Sequence, residues 1–194
     1  MPNRTDQILF LSGLVLFMLG QVQLNLLGPA SQSQAPIDWA HWTLLLGASL
    51  LIPFAARLPR TLFGSIAGII LIAGIVFVIG MNAIDFVFWG LDDDMDGQLY
   101  RAIVDEPAIW GVFMRWGPGE IFTTGIGLPS LLYWRHSRLG TGLVALGLAI
   151  MIFGTQWYNV IGYSVVIAGY FLNFDRLGLL GGARSQSPGE GTAS

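Results

Sequence analysis

The chain has 194 residues, 54% hydrophobic and only 11% charged, with a formal net charge of −3. A soluble domain carries about 25% charged residues, so this composition cannot clothe a water-facing surface, and a mean hydropathy of +0.64 points to lipid as the solvent. The absence of Cys excludes disulfides, thiolate nucleophiles and Cys-ligated metals, the absence of Lys excludes Schiff-base chemistry, and no basic run suggests a nucleic-acid partner.

Apolar stretches recur along the chain. Residues 8–28 form the first, long enough at about 1.5 Å per residue to span a hydrocarbon core of about 30 Å. Arg4, an apolar stretch and the small residues Gly28-Pro29-Ala30 are compatible with a cleaved leader. The run is longer than such leaders carry, and Gln21, Gln23 and Asn25 interrupt it, so a retained span is expected. A polar segment rich in Ser, Gln and Pro follows, then a second apolar stretch over 41–56. Pro59 sits in a short turn between Arg57 and Arg60. The third stretch, 61–89, is longer than one crossing needs.

The next region breaks the pattern with Asp92, Asp93, Asp94 and Asp96. A short apolar piece, 107–114, reads as a helix lying at the membrane interface, with Asp105 as its cap and Pro107 in its first turn. Gly117-Pro118-Gly119 is expected to break the chain before a fourth span over 118–134. Residues 139–174 are about twice one span. They are expected to divide into spans 139–154 and 159–174 at the polar cluster around Gln156 and Asn159. A Gly/Ser-rich tail, 178–194, is expected to be disordered. The expected fold is therefore an all-α integral membrane bundle of about six spans plus one interfacial helix, forming a single domain over residues 1–177.

Orientation follows from arginine. With the N-terminus inside, Arg4, Arg57, Arg60, Arg135, Arg138, Arg176 and Arg184 collect on the cytoplasmic side, leaving Arg101 and Arg115 outside. This bias predicts a multi-pass protein of the cell inner (plasma) membrane with both termini cytoplasmic. Tryptophan agrees: Trp39, Trp42, Trp89, Trp110, Trp116 and Trp157 fall at expected outer boundaries, and Trp134 at an inner one. The sequence Pro53…Arg57-x-x-Arg60 resembles Pro129…Arg135-x-x-Arg138, but positive-inside selection alone accounts for both turns.

Glycines mark the packing. Gly140, Gly147 and Gly154 recur every seven residues, as do Gly162 and Gly169, so each set forms one stripe along a helix where backbones can approach closely. Gly64 and Gly68 offer another such contact.

Polar side chains gather at the expected outer ends of the helices. Asp85 and Glu120, with Arg115, His41 and Asn82 nearby, are the candidate ligand-binding residues of an outward-opening polar cup, because ionisable groups at membrane depth face a partner or water. The bland alternative is that helix ends are polar by default. Asp92, Asp94 and Asp96 with Gly97 match the first half of an EF-hand loop, which makes calcium the one candidate metal. The twelfth position, however, is Ile103 in place of a bidentate Glu, so a solvated acidic loop is the simpler expectation. His41 and His136 fall on opposite sides and cannot share a metal or a haem. No H-E-x-x-H, P-loop or G-x-S-x-G is present, and the inner halves of the spans lack the ionisable groups of a through-pathway. The leading expectation is thus a noncatalytic membrane component packing with lipid, itself or a complex partner. The alternative is an outward-facing small-ligand binding or carrier protein.

Overall fold

A computed structural model describes residues 2–28, 38–90, 93–154 and 156–174, with backbone alone for 93–96 and 156. The described chain is all helical. Three helices are long and apolar enough to cross a membrane: α1 (Arg4–Leu27), α2 (Trp39–Ala56) and α3 (Leu62–Trp89). A shorter apolar helix, α7 (Arg138–Phe153), pairs with α8 (Gln156–Asn173). Between α3 and α7 lie α4 (Asp93–Val104), α5 (Pro107–Ile109), a π-helical segment (Trp110–Ile121), α6 (Phe122–Gly127) and a 3₁₀ segment (Leu128–Tyr133).

Short polar side chains start the helices by satisfying their first free N–H groups. Asn3 and Asp6 cap α1 reciprocally, each carboxyl or amide oxygen accepting from the other residue's N–H at 2.9 and 3.0 Å. Asp38 caps α2, Thr61 caps α3 and Ser137 caps α7. Glu106, one residue beyond the expected Asp105, caps α5 through the Ala108 N–H at 3.1 Å.

Two expectations about the middle of the chain are corrected. The acidic stretch is helical from Asp93 onward, with Tyr100 of α4 leaning its ring against Phe88 and Trp110 at 5.6 and 5.8 Å between centroids. Nor does Gly117-Pro118-Gly119 break the rod. Pro118 has no N–H to give, and the backbone passes it with wider-pitch bonding, so that the Phe122 N–H reaches the Gly117 carbonyl five residues back. Phe77 and the Val112 carbonyl occupy the space that a side chain at residue 117 would need, which only glycine leaves free. The expected interfacial helix and fourth span are consequently parts of one irregular rod, from Pro107 to Tyr133.

α1 packs against α2 and α8, α3 packs against α2 and the irregular rod, and α7 lies along α8. Glycine sets how closely these rods approach. A Cβ added to Gly147 would sit 2.6 Å from the Gly162 carbonyl oxygen, and one added to Gly169 would sit 2.6 Å from that of Gly140. Gly13 of α1 faces Gly47 of α2 in the same way at 2.7 Å, and Gly125 of α6 meets the Leu71 backbone of α3 at 2.7 Å. Such contacts let the helix backbones pack densely against each other.

The core toward the Asp6 end of the bundle is aromatic. Phe10, Phe54, Tyr170 and Phe174 are buried in mutual ring contact, Phe10 and Phe54 at 4.2 Å. The Tyr170 hydroxyl donates to the Ile126 carbonyl at 2.5 Å. Where the rod tightens to 3₁₀ winding, that carbonyl finds Pro129 three residues on, with no N–H to offer, and the tyrosine takes the vacant place. On the outside, Leu62, Ile69 and Val76 of α3 and Leu139, Leu146 and Phe153 of α7 are exposed. Exposed apolar side chains of this kind suit a surface that meets lipid or a partner.

Candidate functional site

Polar chemistry concentrates at the end of the bundle where α1 and α3 finish and α2 and α8 begin. It falls into two groups.

The first is a buried carboxylate–imidazole–carboxylate bridge. Asp38, as the cap of α2, accepts from the His41 backbone N–H at 3.1 Å through one oxygen, and its other oxygen lies 2.5 Å from His41 Nδ1. His41 Nε2 lies 3.3 Å from Asp85 on α3. All three side chains are buried, at 1%, 5% and 5% exposure. The ring therefore ties α2 to α3. It can serve both carboxyls only if both nitrogens carry protons or if one of the two carboxyls supplies the second one. Asn82, one turn before Asp85, is fully buried and donates to the Val78 carbonyl of its own helix at 2.7 Å, while its amide oxygen has no partner. Phe86 lies beside the bridge, its ring 5.0 Å from that of Trp42.

The second group lines a cavity of about 410 Å³ between α1, α2, α3, the π-helical segment, α6, α7 and α8. Its polar lining is Gln21, Arg115, Glu120, Thr123 and Asn159, and Asn159 donates to the Gln21 side chain at 3.3 Å. Its apolar wall includes Phe17, Phe122 and Tyr163, whose rings stack at 4.9 and 5.6 Å from Phe17. Arg115 and Glu120 are exposed at this cavity, and among the described residues neither forms an ion pair.

Of the five residues expected in one cup, the structure brings Arg115 and Glu120 to the cavity. His41, Asp85 and Asn82 are not in its lining and belong to the buried bridge and the helix beneath it. The sequence reading missed Asp38, although its position three residues before His41, at the start of an apolar run, is the spacing of a helix cap. It also missed Asp6, which is fully buried at the opposite end of the bundle and pairs with Arg57, fastening α1 to α2. The calcium reading falls largely outside the described residues: Asp92 is not described, and for Asp94 and Asp96 the backbone alone is. Among the described residues no cluster of three or more acidic or His groups could hold a metal ion.

Comparison with protein families, with characterised proteins and with solved structures gives no match to this chain.

Proposed function

We propose that the chain is a noncatalytic multi-pass protein of the inner (plasma) membrane that receives a small zwitterionic ligand at its outer end. The spans in this reading are α1, α2, α3, the irregular rod, α7 and α8, with both termini cytoplasmic. Support for the orientation comes from Arg4, Arg57, Arg60, Arg135 and Arg138. They share the end marked by the Asp6–Arg57 pair, leaving Arg101 and Arg115 for the other. The exposed apolar exterior supports lipid as its surroundings.

The observation that carries the binding reading is the cavity with one cation and one anion, not paired with each other, on its lining. Ligand cavities commonly measure about 300–1,000 Å³ and combine apolar walls with a few convergent polar groups. A ligand bearing both charges, such as an amino acid or an ethanolamine phosphate, would give its ammonium to Glu120 and its anion to Arg115. Gln21, Thr123 and Asn159 would serve its neutral polar groups. Against catalysis stands the state of the one histidine at this end: carboxylates face both ring nitrogens of His41, leaving neither to deprotonate a nucleophile.

The test is thermal unfolding of the detergent-purified protein against zwitterions of increasing size, with singly charged analogues as controls. We expect zwitterions alone to raise the unfolding temperature. Arg115→Gln or Glu120→Gln should weaken the effect by about tenfold or more, as expected for loss of a charge-assisted contact. Equal stabilisation by the singly charged analogues, or an unchanged response in both variants, would overturn the reading.

A further inference from the structure

The opposite end of the bundle holds a second cavity, of about 320 Å³, lined by Gln7 of α1, Leu132 and Tyr133 of the 3₁₀ segment, Arg135 and His136 of the turn before α7, and Asn173 with Phe174 at the end of α8. Asn173 is the unusual member. It is 1% exposed, and neither its amide nitrogen nor its oxygen has a hydrogen-bond partner. A buried amide left unsatisfied at both atoms is costly, and here it lines an open space with two exposed basic side chains, Arg135 and His136, at the same place. The only described carboxylate nearby on α1, Asp6, already engages Arg57.

We infer that this cavity binds a phosphate ester that also carries a hydroxyl. The phosphate accepts hydrogen bonds from Arg135, from His136 and from the Asn173 amide nitrogen, and the ligand hydroxyl donates to the Asn173 amide oxygen. Leu132 and Phe174 supply an apolar side against which a ligand's hydrocarbon root can lie. The volume is at the small end for ligand cavities, which suits a headgroup. On the orientation proposed above, this end faces the cytoplasmic leaflet, where basic pockets between spans meet acidic phospholipids. The same chemistry also fits a free glycerol phosphate.

Native mass spectrometry of the full-length protein in detergent decides the matter, with phosphatidylglycerol, phosphatidylcholine and glycerol 1-phosphate as probes. Phosphatidylglycerol should be retained at least about tenfold better than phosphatidylcholine, which has the phosphate but no hydroxyl. Retention should fall by a similar factor in the double variant Arg135→Gln with His136→Gln, whose side chains are exposed, and in Asn173→Leu. Retention of phosphatidylglycerol alone identifies a lipid headgroup. Equal binding of glycerol 1-phosphate identifies a soluble ligand of the same chemistry. If no probe binds better than phosphatidylcholine, or if binding is unchanged in both variants, the inference is wrong.

Discussion

Each ring nitrogen of His41 meets a carboxyl, so removing the imidazole leaves Asp38 and Asp85 buried with no donor between them. Breaking a buried ionic contact by deleting one partner typically costs about 3–5 kcal/mol. His41→Ala should therefore lower the unfolding free energy in detergent by roughly that amount, and adding Asp85→Asn should recover part of the loss by removing one of the two acids. Wild-type stability of His41→Ala would show that the bridge contributes nothing. In the sequence, hydropathy and spacing assigned His41, Asp85 and Glu120 to one depth. Depth is a single coordinate along the membrane normal and does not say which way a side chain faces around the helix. That is why one cup became a buried bridge and a separate cavity. Asp38 and Asp6 were harder to see, because each lies at a helix start, where an acidic residue reads first as a cap. Both do cap their helices, and each also reaches a partner: His41 within the same turn for Asp38, and Arg57, just past the end of α2, for Asp6.

At the scale of elements, the hairpin of α7 and α8 is the part most fully written in the sequence. Seven-residue spacing placed Gly140, Gly147 and Gly154 on one stripe and Gly162 and Gly169 on another; Gly140 meets Gly169 and Gly147 meets Gly162, while Gly154 falls past the end of α7 as its C-cap, against Tyr158. Gly147→Leu or Gly162→Leu must push a side chain into a carbonyl contact, an overpacking that typically costs about 1–3 kcal/mol. Gly142→Leu, on the exposed side of α7 with no neighbour within 4 Å of an added Cβ, should be neutral and serves as the control. Thermal unfolding of the three variants side by side checks this, and equal stability would place the glycine stripes against lipid. The contact of Gly13 with Gly47 was marked less clearly: Gly20, seven residues after Gly13, also faces α2 at Leu44 and Ala40, but α2 holds only Gly47, so no second stripe answers it. The irregular rod was misread for a physical reason. Gly-Pro-Gly ends a helix where water can take up the freed backbone groups, but in an apolar bundle those groups must find partners within the protein. Wider-pitch bonding past Pro118 provides them.

For the whole molecule, composition leads to the expectation of lipid as solvent, and helix length and apolarity distinguish α1, α2 and α3 as long and apolar enough to cross a membrane. Six crossings in one orientation is the larger claim, and the outward cavity depends on it. Because the chain has no Cys, a single introduced cysteine reports its side of the membrane unambiguously. Gly119→Cys lies at the lining of the cavity with open space around its added Cβ, and Arg60→Cys lies in the exposed turn at the other end. Labelling with a membrane-impermeant maleimide in intact cells should modify Gly119→Cys, and should modify Arg60→Cys only after the membrane is opened. Labelling of Arg60→Cys in intact cells while Gly119→Cys stays protected would reverse the orientation and turn the cavity inward; labelling of both would contradict the crossing itself.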